Sequence, residues 1–184
     1  MPDAYIDAHA ANVLGACGLA VADALRPALD DAAAGGGPAR SAALVALLNF
    51  AAGEPVDVLR RALGLTHSRT VRIVDALAAD GLVRRRGSSG DGRVVLVDLT
   101  AAGRRAAARV ERRRSAVLLP LLEGLDPAEQ DDLARLLGKV LAGRTHGRDD
   151  ARAICRLCDA DACGHHEGRC PVTIAADAAE AARG

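Results

Sequence analysis

Aromatic side chains are almost absent from this sequence. Among 184 residues, Tyr5 and Phe50 are the only members of the Phe, Tyr and Trp set, although half of all residues are hydrophobic. Aromatic and β-branched residues are enriched in strands, whereas an interior filled by Ala, Leu and Val favours close-packed helices. The chain is long enough for one packed domain with appendages. The composition therefore predicts a mainly helical protein.

The sequence also lacks a net charge, a cationic leader and a long uncharged run near its start. Its 24 basic residues balance 24 acidic ones, which gives a formal net charge of zero. The uncharged run between Asp7 and Asp23 is shorter than the about 20 residues of a membrane span. We therefore expect a cytoplasmic protein that does not enter the membrane.

Positive charge is nonetheless concentrated in the middle of the chain. Residues 60–114 contain fourteen arginines and five acidic residues, an excess of nine positive charges, and the acidic excess lies in the two ends. Such a segment is typical of a face that binds a polyanion.

The spacing of apolar residues predicts a long helix over residues 5–33 and shorter ones at about 40–52 and 55–63. Thr66 is suited to cap the start of the next helix, and Gly81 to close it. The helix over 55–63 and the helix capped by Thr66 are separated by only a few residues. This arrangement indicates a helix–turn–helix.

Two β-prone runs, LVRRR at 82–86 and RVVLVDL at 93–99, follow this helix and are separated by a glycine-rich loop. This arrangement predicts a hairpin wing. Further helices are predicted over 101–119 and 127–142. The expected fold class is mainly α with a small β-wing, a winged helix–turn–helix plus long dimerisation helices.

The helix after Thr66 separates its side chains into two faces. Apolar residues such as Val74 and Leu77 share one half of the helical wheel, and the opposite half carries Ser68, Arg69 and Arg72. Arginine can pair with the acceptor edge of guanine, and serine can bond a base or phosphate. We interpret these three residues as the DNA readers, with a solvated helix face as the alternative. Thr70 and His67 lie nearer the apolar side.

The wing adds charge for phosphate binding. Its predicted DNA-contacting residues are Arg84, Arg85, Arg86 and Arg93.

The run LTHSRTVRIVDALAADGLVRRR, followed by GDGRVVLVDLTAAGR, resembles the MarR family of winged helix–turn–helix regulators over roughly residues 40–140. The resemblance implies a homodimer with interlocking terminal helices on a double-stranded, pseudo-palindromic DNA operator, usually as a repressor. It also implies that Arg93, oriented by Asp91, approaches the minor groove. Members often bind aromatic effectors, but the scarcity of aromatic side chains predicts at most a small or aliphatic effector.

The predicted organisation has four parts. They are an N-terminal dimerisation helix (1–39), the winged helix–turn–helix domain (40–100), C-terminal dimerisation helices (101–143), and a linker with a cysteine-rich metal-binding tail (144–184).

The tail contains CRLCDADACGHHEGRC at 155–170, with cysteines spaced C-x2-C-x4-C-x6-C. In a reducing compartment clustered cysteines indicate metal or redox chemistry before structural disulfides. The predicted metal ligands are Cys155, Cys158, Cys163 and Cys170, with His165 as an alternative ligand.

Zinc is the first interpretation of this spacing, which resembles a zinc knuckle with a cysteine in place of its histidine. Cys170-Pro171-Val172 also resembles the end of a ferredoxin motif, so an iron–sulfur cluster stays open. A thiol–disulfide switch and unligated cysteines are the remaining alternatives. Cys17 stands apart and is expected to be inert.

Two other classes of function are less favoured. A redox enzyme using Cys155 and Cys158 would normally sit on a βαβ scaffold, which the predicted elements do not provide. A protein-interaction module that no longer binds DNA is the other alternative.

Overall fold

A computed structural model of the protein describes residues 8–32, 36–88 and 94–183. The first half contains α1 (Ala8–Ala32), α2 (Pro38–Asn49), β1 (Glu54–Pro55), α3 (Val56–Leu63), α4 (His67–Ala79), β2 (Val83–Gly87) and β3 (Val95–Leu99). The second half contains α5 (Ala101–Leu118), a short 3-10 helix (Leu119–Leu122), α6 (Pro127–Gly143), α7 (Arg148–Ile154) and α8 (Pro171–Ala181). The predicted fold class, mainly helical with a small β-wing, is confirmed.

The sheet is antiparallel, with strand order β1-β3-β2. Val83 pairs with Leu99 and Gly87 with Val95, so β2 and β3 form the predicted hairpin. The third strand was not predicted, because Pro55 was interpreted as the first residue of the helix over 55–63. Instead Pro55 pairs with β3 and precedes the first residue of α3.

The main core lies between α2, α3, α4 and the sheet. Its buried members are aliphatic and include Leu44, Leu47, Leu59, Val74 and Leu77. A second cluster joins α1, α2 and α5 through Leu29, Ala32, Val45 and Val110. Small aliphatic side chains thus fill the interior, as the composition predicts.

Thr100 fixes the wing to the helices on both sides. Its hydroxyl donates to the carbonyl of Gly81 at 2.8 Å and accepts the Gly103 N–H at 3.0 Å, which caps α5. Its own N–H bonds the Leu82 carbonyl at 3.0 Å. The end of α4, both wing strands and the start of α5 therefore share one hydrogen-bonded junction.

Residues 144–183, here called the cysteine lobe, pack onto the rest of the protein. The polar stretch expected to be a linker contains α7, which packs against α3, while α8 packs against α6 and α7. Arg148 on α7 bonds Glu180 on α8 at 3.2 Å. The linker prediction is therefore corrected for residues 148–154, whose short polar helix has no apolar period to reveal it.

Helices α1 and α6 expose apolar side chains. Val13, Leu14 and Leu19 are exposed on α1, and Leu136 and Val140 on α6. By length and composition alone α1 could cross a membrane, with a mean hydropathy of 1.3 over its most apolar stretch. One such helix is weak evidence for a span, and the C-terminal end of α1 packs into the second core cluster.

Replacement of Gly103 by alanine tests the Thr100 junction. A Cβ built there would lie 1.9 Å from the Leu82 carbonyl oxygen, so the wing or α5 must shift. We expect Gly103→Ala to lower the free energy of unfolding by about 1–3 kcal/mol in urea titrations followed by circular dichroism.

The matched control is Gly143→Ala, because nothing lies within 4 Å of the Cβ position at this helical glycine. Its better helix propensity should stabilise the chain slightly, by up to about 1 kcal/mol. Equal stability of the two variants would contradict the close approach at Gly103.

Candidate nucleic-acid interface and cysteine pocket

Helix α4 buries one face and exposes the other. Thr70, Val74 and Leu77 are buried, and the Thr66 hydroxyl caps the helix by accepting the Arg69 N–H at 3.4 Å. All three predicted readers, Ser68, Arg69 and Arg72, are exposed on the opposite face. His67 is also exposed, although the wheel placed it nearer the apolar side.

A basic groove of about 470 Å³ runs along this exposed face and is lined by Gly36, Arg40, Arg69, Arg72, Ile73 and Ala76. Sequence reasoning missed Arg40, which comes from α2. Its guanidinium forms an ion pair with Asp80 at the end of α4, and its Nε is buried without a hydrogen-bond partner among the described residues. Only the tertiary packing of α2 on α4 brings it there.

The wing arginines divide between two faces of β2. Arg84 and Arg86 share a face and approach the Asp98 carboxylate at 4.0 and 2.8 Å, while Arg85 pairs with Asp75 of α4 at 2.5 Å. The arginine run is thus partly neutralised within the chain. Because exposed ion pairs contribute only about 0–1 kcal/mol, a phosphate can compete for these guanidinium groups.

Asp91 and Arg93, the predicted tip of the wing, lie outside the described residues. Their placement at a minor groove stays a prediction.

All four cysteines of the tail line one cavity of about 240 Å³, together with His165, Thr173, Asn49 and Phe50 among others. The ring of His165 is held through Nδ1, which lies 2.9 Å from the Thr173 hydroxyl. The thiols are free, and no group of three or more His, Cys, Asp or Glu side chains in the described part of the chain is arranged to hold a metal ion. Cys17 is exposed on α1.

Neighbouring thiols alter one another's acidity. A hydrogen bond from Cys155 lowers the pKa of Cys158 to about 7 and raises that of Cys155 well above its ordinary value. Burial raises the pKa of Cys163 to about 11. Burial opposes ionisation of Cys170 as well, but hydrogen bonds from the first turn of α8 lower its pKa. The pocket therefore contains two thiols with a lowered pKa, Cys158 and Cys170, and two with a raised pKa, Cys155 and Cys163.

The cavity lies where the cysteine lobe meets the winged domain. The side-chain amide of Asn49, the last residue of α2, donates to the Cys158 carbonyl at 2.7 Å. Arg61 on α3 pairs with Asp149 on α7 at 3.1 Å, and Leu157 packs against the second core cluster. These contacts join the loop of cysteines directly to the helices that position α4.

One carboxyl group at this junction is unfavourably placed. Partial burial of Glu111 on α5, with the nearby Asp159 carboxylate, raises the pKa of the Glu111 carboxyl. Ionised Glu111 therefore opposes folding at neutral pH.

The sheet, the capped α4 and the hairpin behind it define a winged helix–turn–helix protein. Residues 37–94 match the sequence model of the MarR family. Sequence comparison with curated proteins found no match.

Solved structures of regulators share this fold. A MarR-family transcriptional regulator from Silicibacter pomeroyi is 28% identical, with a TM-score of 0.57 over 73% of this chain and 88% of that one. MarR from E. coli is 22% identical, with a TM-score of 0.63 over 76% and 99%. Bordetella bronchiseptica BpsR is 21% identical, with a TM-score of 0.56 over 72% and 98%. These likenesses show that the chain has the winged helix–turn–helix fold of MarR-family proteins.

Replacement of Glu111 by glutamine tests the electrostatics of the junction. Because the folded-state pKa lies above the ordinary one, the carboxylate costs stability at neutral pH and not once it is protonated. We expect Glu111→Gln to raise the unfolding free energy at pH 7 by less than about 1 kcal/mol, given the solvent screening of a partly exposed group.

This gain should disappear at about pH 4, where glutamate is largely protonated. Glu123→Gln, at an exposed site, is the control. An equal gain in unfolding free energy at pH 7 and at about pH 4 would contradict the raised pKa of Glu111.

Proposed function

We propose that this protein is a sequence-specific, DNA-binding transcriptional regulator of MarR type that acts as a repressor. The observation that supports it is the exposed face of α4, where Ser68, Arg69 and Arg72 are presented by a helix whose other face is buried. A recognition helix in a major groove presents side chains in this way.

The arginines around α4 supply the electrostatic part of binding. Arg40 adds a guanidinium to the α4 groove, and Arg84 and Arg86 extend the basic surface along β2. In the free protein Arg40 pairs with the Asp80 carboxylate and Arg86 with the Asp98 carboxylate. In the complex, DNA phosphates would take the place of these carboxylates. Replacement of an internal carboxylate by a DNA phosphate leaves each guanidinium paired, which lowers the cost of binding.

We propose a homodimer in which α1 and α6 of two copies cover each other's exposed apolar side chains. Leu19 is 70% exposed and Val140 46% exposed, on helices long enough to form an extended interface. Several exposed large apolar side chains on one helix are typical of an interaction site. Two copies would place two α4 helices on a pseudo-palindromic operator.

A small-molecule effector is part of the proposal. The solved structure of BpsR concerns regulation of its DNA binding by 6-hydroxynicotinic acid. In this chain Tyr5 and Phe50 are the only members of the Phe, Tyr and Trp set, so a planar aromatic ligand has few side chains to stack on. We therefore propose a small or aliphatic effector.

We also propose that Cys155, Cys158, Cys163 and Cys170 ligate a metal cofactor. Their common cavity supports this, because residues far apart in the tail converge on one space. Four thiolates suit either zinc or an iron–sulfur cluster, and His165 is placed as an alternative ligand.

The DNA-binding proposal is tested with duplexes selected by the wild-type chain from a random pool. Arg69→Ala and Arg72→Ala should each weaken binding about 10- to 100-fold if they read bases, as expected for about 1–3 kcal/mol per contact. Fluorescence anisotropy at several salt concentrations measures both the affinity and the salt dependence.

The control is Arg135→Ala, an exposed arginine on α6 that pairs with Asp132. It should leave affinity unchanged. Failure of the wild type to select any duplex would favour the protein-interaction alternative. Unchanged binding by the Arg69→Ala, Arg72→Ala double variant would instead show that neither arginine reads the bases.

The dimer proposal is tested by placing a charge in each exposed apolar helix. We expect the Leu19→Asp, Val140→Asp double variant to sediment at half the mass of the wild type, because buried unpaired carboxylates oppose the interface. Val95→Asp, at an exposed apolar position on the wing strand, is the matched control and should stay dimeric. A monomeric wild type would refute the interface.

A further inference from the structure

Helix α8 of the cysteine lobe lies beside α6 and presents an apolar face to solvent. Val172 and Ala176 of α8 are buried, whereas Ile174 and Ala178, on the opposite face, are exposed. Ile174 is 53% exposed. A single exposed isoleucine is ordinary, so its neighbours decide whether it marks an interface.

Ile174 lines an apolar groove between α6 and α8. Gly138 also lines the groove and is the only buried residue of α6 in the described chain. A Cβ built at Gly138 would lie 3.3 Å from Cγ of Pro171, so the missing side chain lets the start of α8 approach α6 closely. The rest of the apolar lining consists of alanines, at positions 134, 142, 162, 175 and 178. The groove is therefore shallow-walled and suits the side of a helix.

The groove is one edge of a wider apolar surface on α6. At about 100° per residue, Leu141 and Leu137 follow Gly138 around the helix and lead to Val140 on its far side. All three of these large side chains are exposed. An interface that covers Val140, as proposed above, therefore continues around α6 to the groove and to Ile174.

Charge favours α1 of a second copy as the occupant of the groove. Arg135, Lys139 and Arg169 belong to the lining, although nearby acids partly neutralise two of them. Two copies of the groove facing each other would bring like charges together. Helix α1 instead carries three acidic residues and one arginine. Its residues 8–22 contain no Asp, Glu, Lys or Arg, so they can enter an apolar groove without removing such a charge from water.

The exposed part of α1 also matches α6 in length. All residues from 8 to 24 are exposed except the half-buried Val21. This stretch and α6 each contain 17 residues, which rise by about 25 Å at about 1.5 Å per residue. Val13 and Leu14 are among its exposed large apolar side chains. One helix can therefore lie along the full length of the other.

We propose that the face of α8 formed by Ile174 and Ala178 is part of the homodimer interface, and that α1 of the second copy lies in the groove between α6 and α8. The inference rests on the proposed homodimer and extends it to the cysteine lobe. Since α7 of the same lobe packs against α3, the lobe then contacts both the partner copy and the DNA-binding domain of its own chain.

The first test links the two helices chemically. Cys17 lies on the exposed part of α1, three and four residues from Leu14 and Val13 and so on their side of the helix. A whole chain with Ile174→Cys and Cys17→Ser is mixed with isotope-labelled wild type and treated with a short bifunctional maleimide. Mass spectrometry of the digest should find Cys17 of the labelled copy joined to position 174 of the other.

The matched control replaces Ile174→Cys by Val95→Cys, at an exposed apolar position on the wing strand, and should give no such link. The single variant Ile174→Cys, with Cys17 retained, shows whether a link forms within one copy. A link within one copy and none between copies would overturn the second copy as the occupant.

The second test places a charge in the groove. We expect Ile174→Asp to raise the dimer dissociation constant about tenfold or more in sedimentation equilibrium, because a carboxylate buried in an apolar interface is costly. Val95→Asp should leave the constant unchanged. Circular dichroism checks that Ile174→Asp is folded, and where it is not, the link between copies decides the question.

The outcomes separate this inference from the dimer on which it rests. A dimer that Leu19→Asp, Val140→Asp dissociates, but that resists Ile174→Asp and forms no link between copies, would overturn the interface on α8 and leave the proposed dimer standing. A monomeric wild type would overturn both.

Discussion

The hydrogen bonds around Thr100 are the constraint on which the rest of the structure depends. One hydroxyl joins the end of α4 to the start of α5, while the adjacent N–H holds the first residues of the wing. From this point α5 runs back past α2, where Val110 completes the second core cluster, and on to Glu111 beside the cysteine lobe. The Thr100 junction therefore sets the orientation of the exposed face of α4 relative to α5 and to the cysteine pocket.

Periodicity and capping residues were sufficient to predict the winged domain. Thr66 and Gly81 bracket α4 as expected, and the alternation of Val74 and Leu77 with Arg69 and Arg72 matches the observed burial. These features depend on neighbours within a few residues, which a sequence displays directly. The start of α6 is local in the same sense, because Asp126 and Glu129 cap it reciprocally at a separation of three residues.

Features that depend on tertiary packing could not be predicted in this way. Arg40 enters the α4 groove only because α2 packs beside α4, and Asp98 meets Arg86 only in the observed hairpin register. Likewise the cysteine spacing indicated a cofactor but not the space for it. That space is closed partly by Asn49 and Phe50, which lie more than a hundred residues earlier in the chain.

The hydrogen bond from Asn49 to the Cys158 carbonyl joins the end of α2 to the loop of cysteines. A ligand that orders residues 155–170 also restrains the end of α2, and α2 packs against α4. Linkage is reciprocal: if filling the pocket changes the affinity of α4 for a duplex by some factor, the duplex changes the affinity of the pocket for its ligand by that same factor. Protein bound to an operator would then hold the ligand with a different affinity from the free pool of protein.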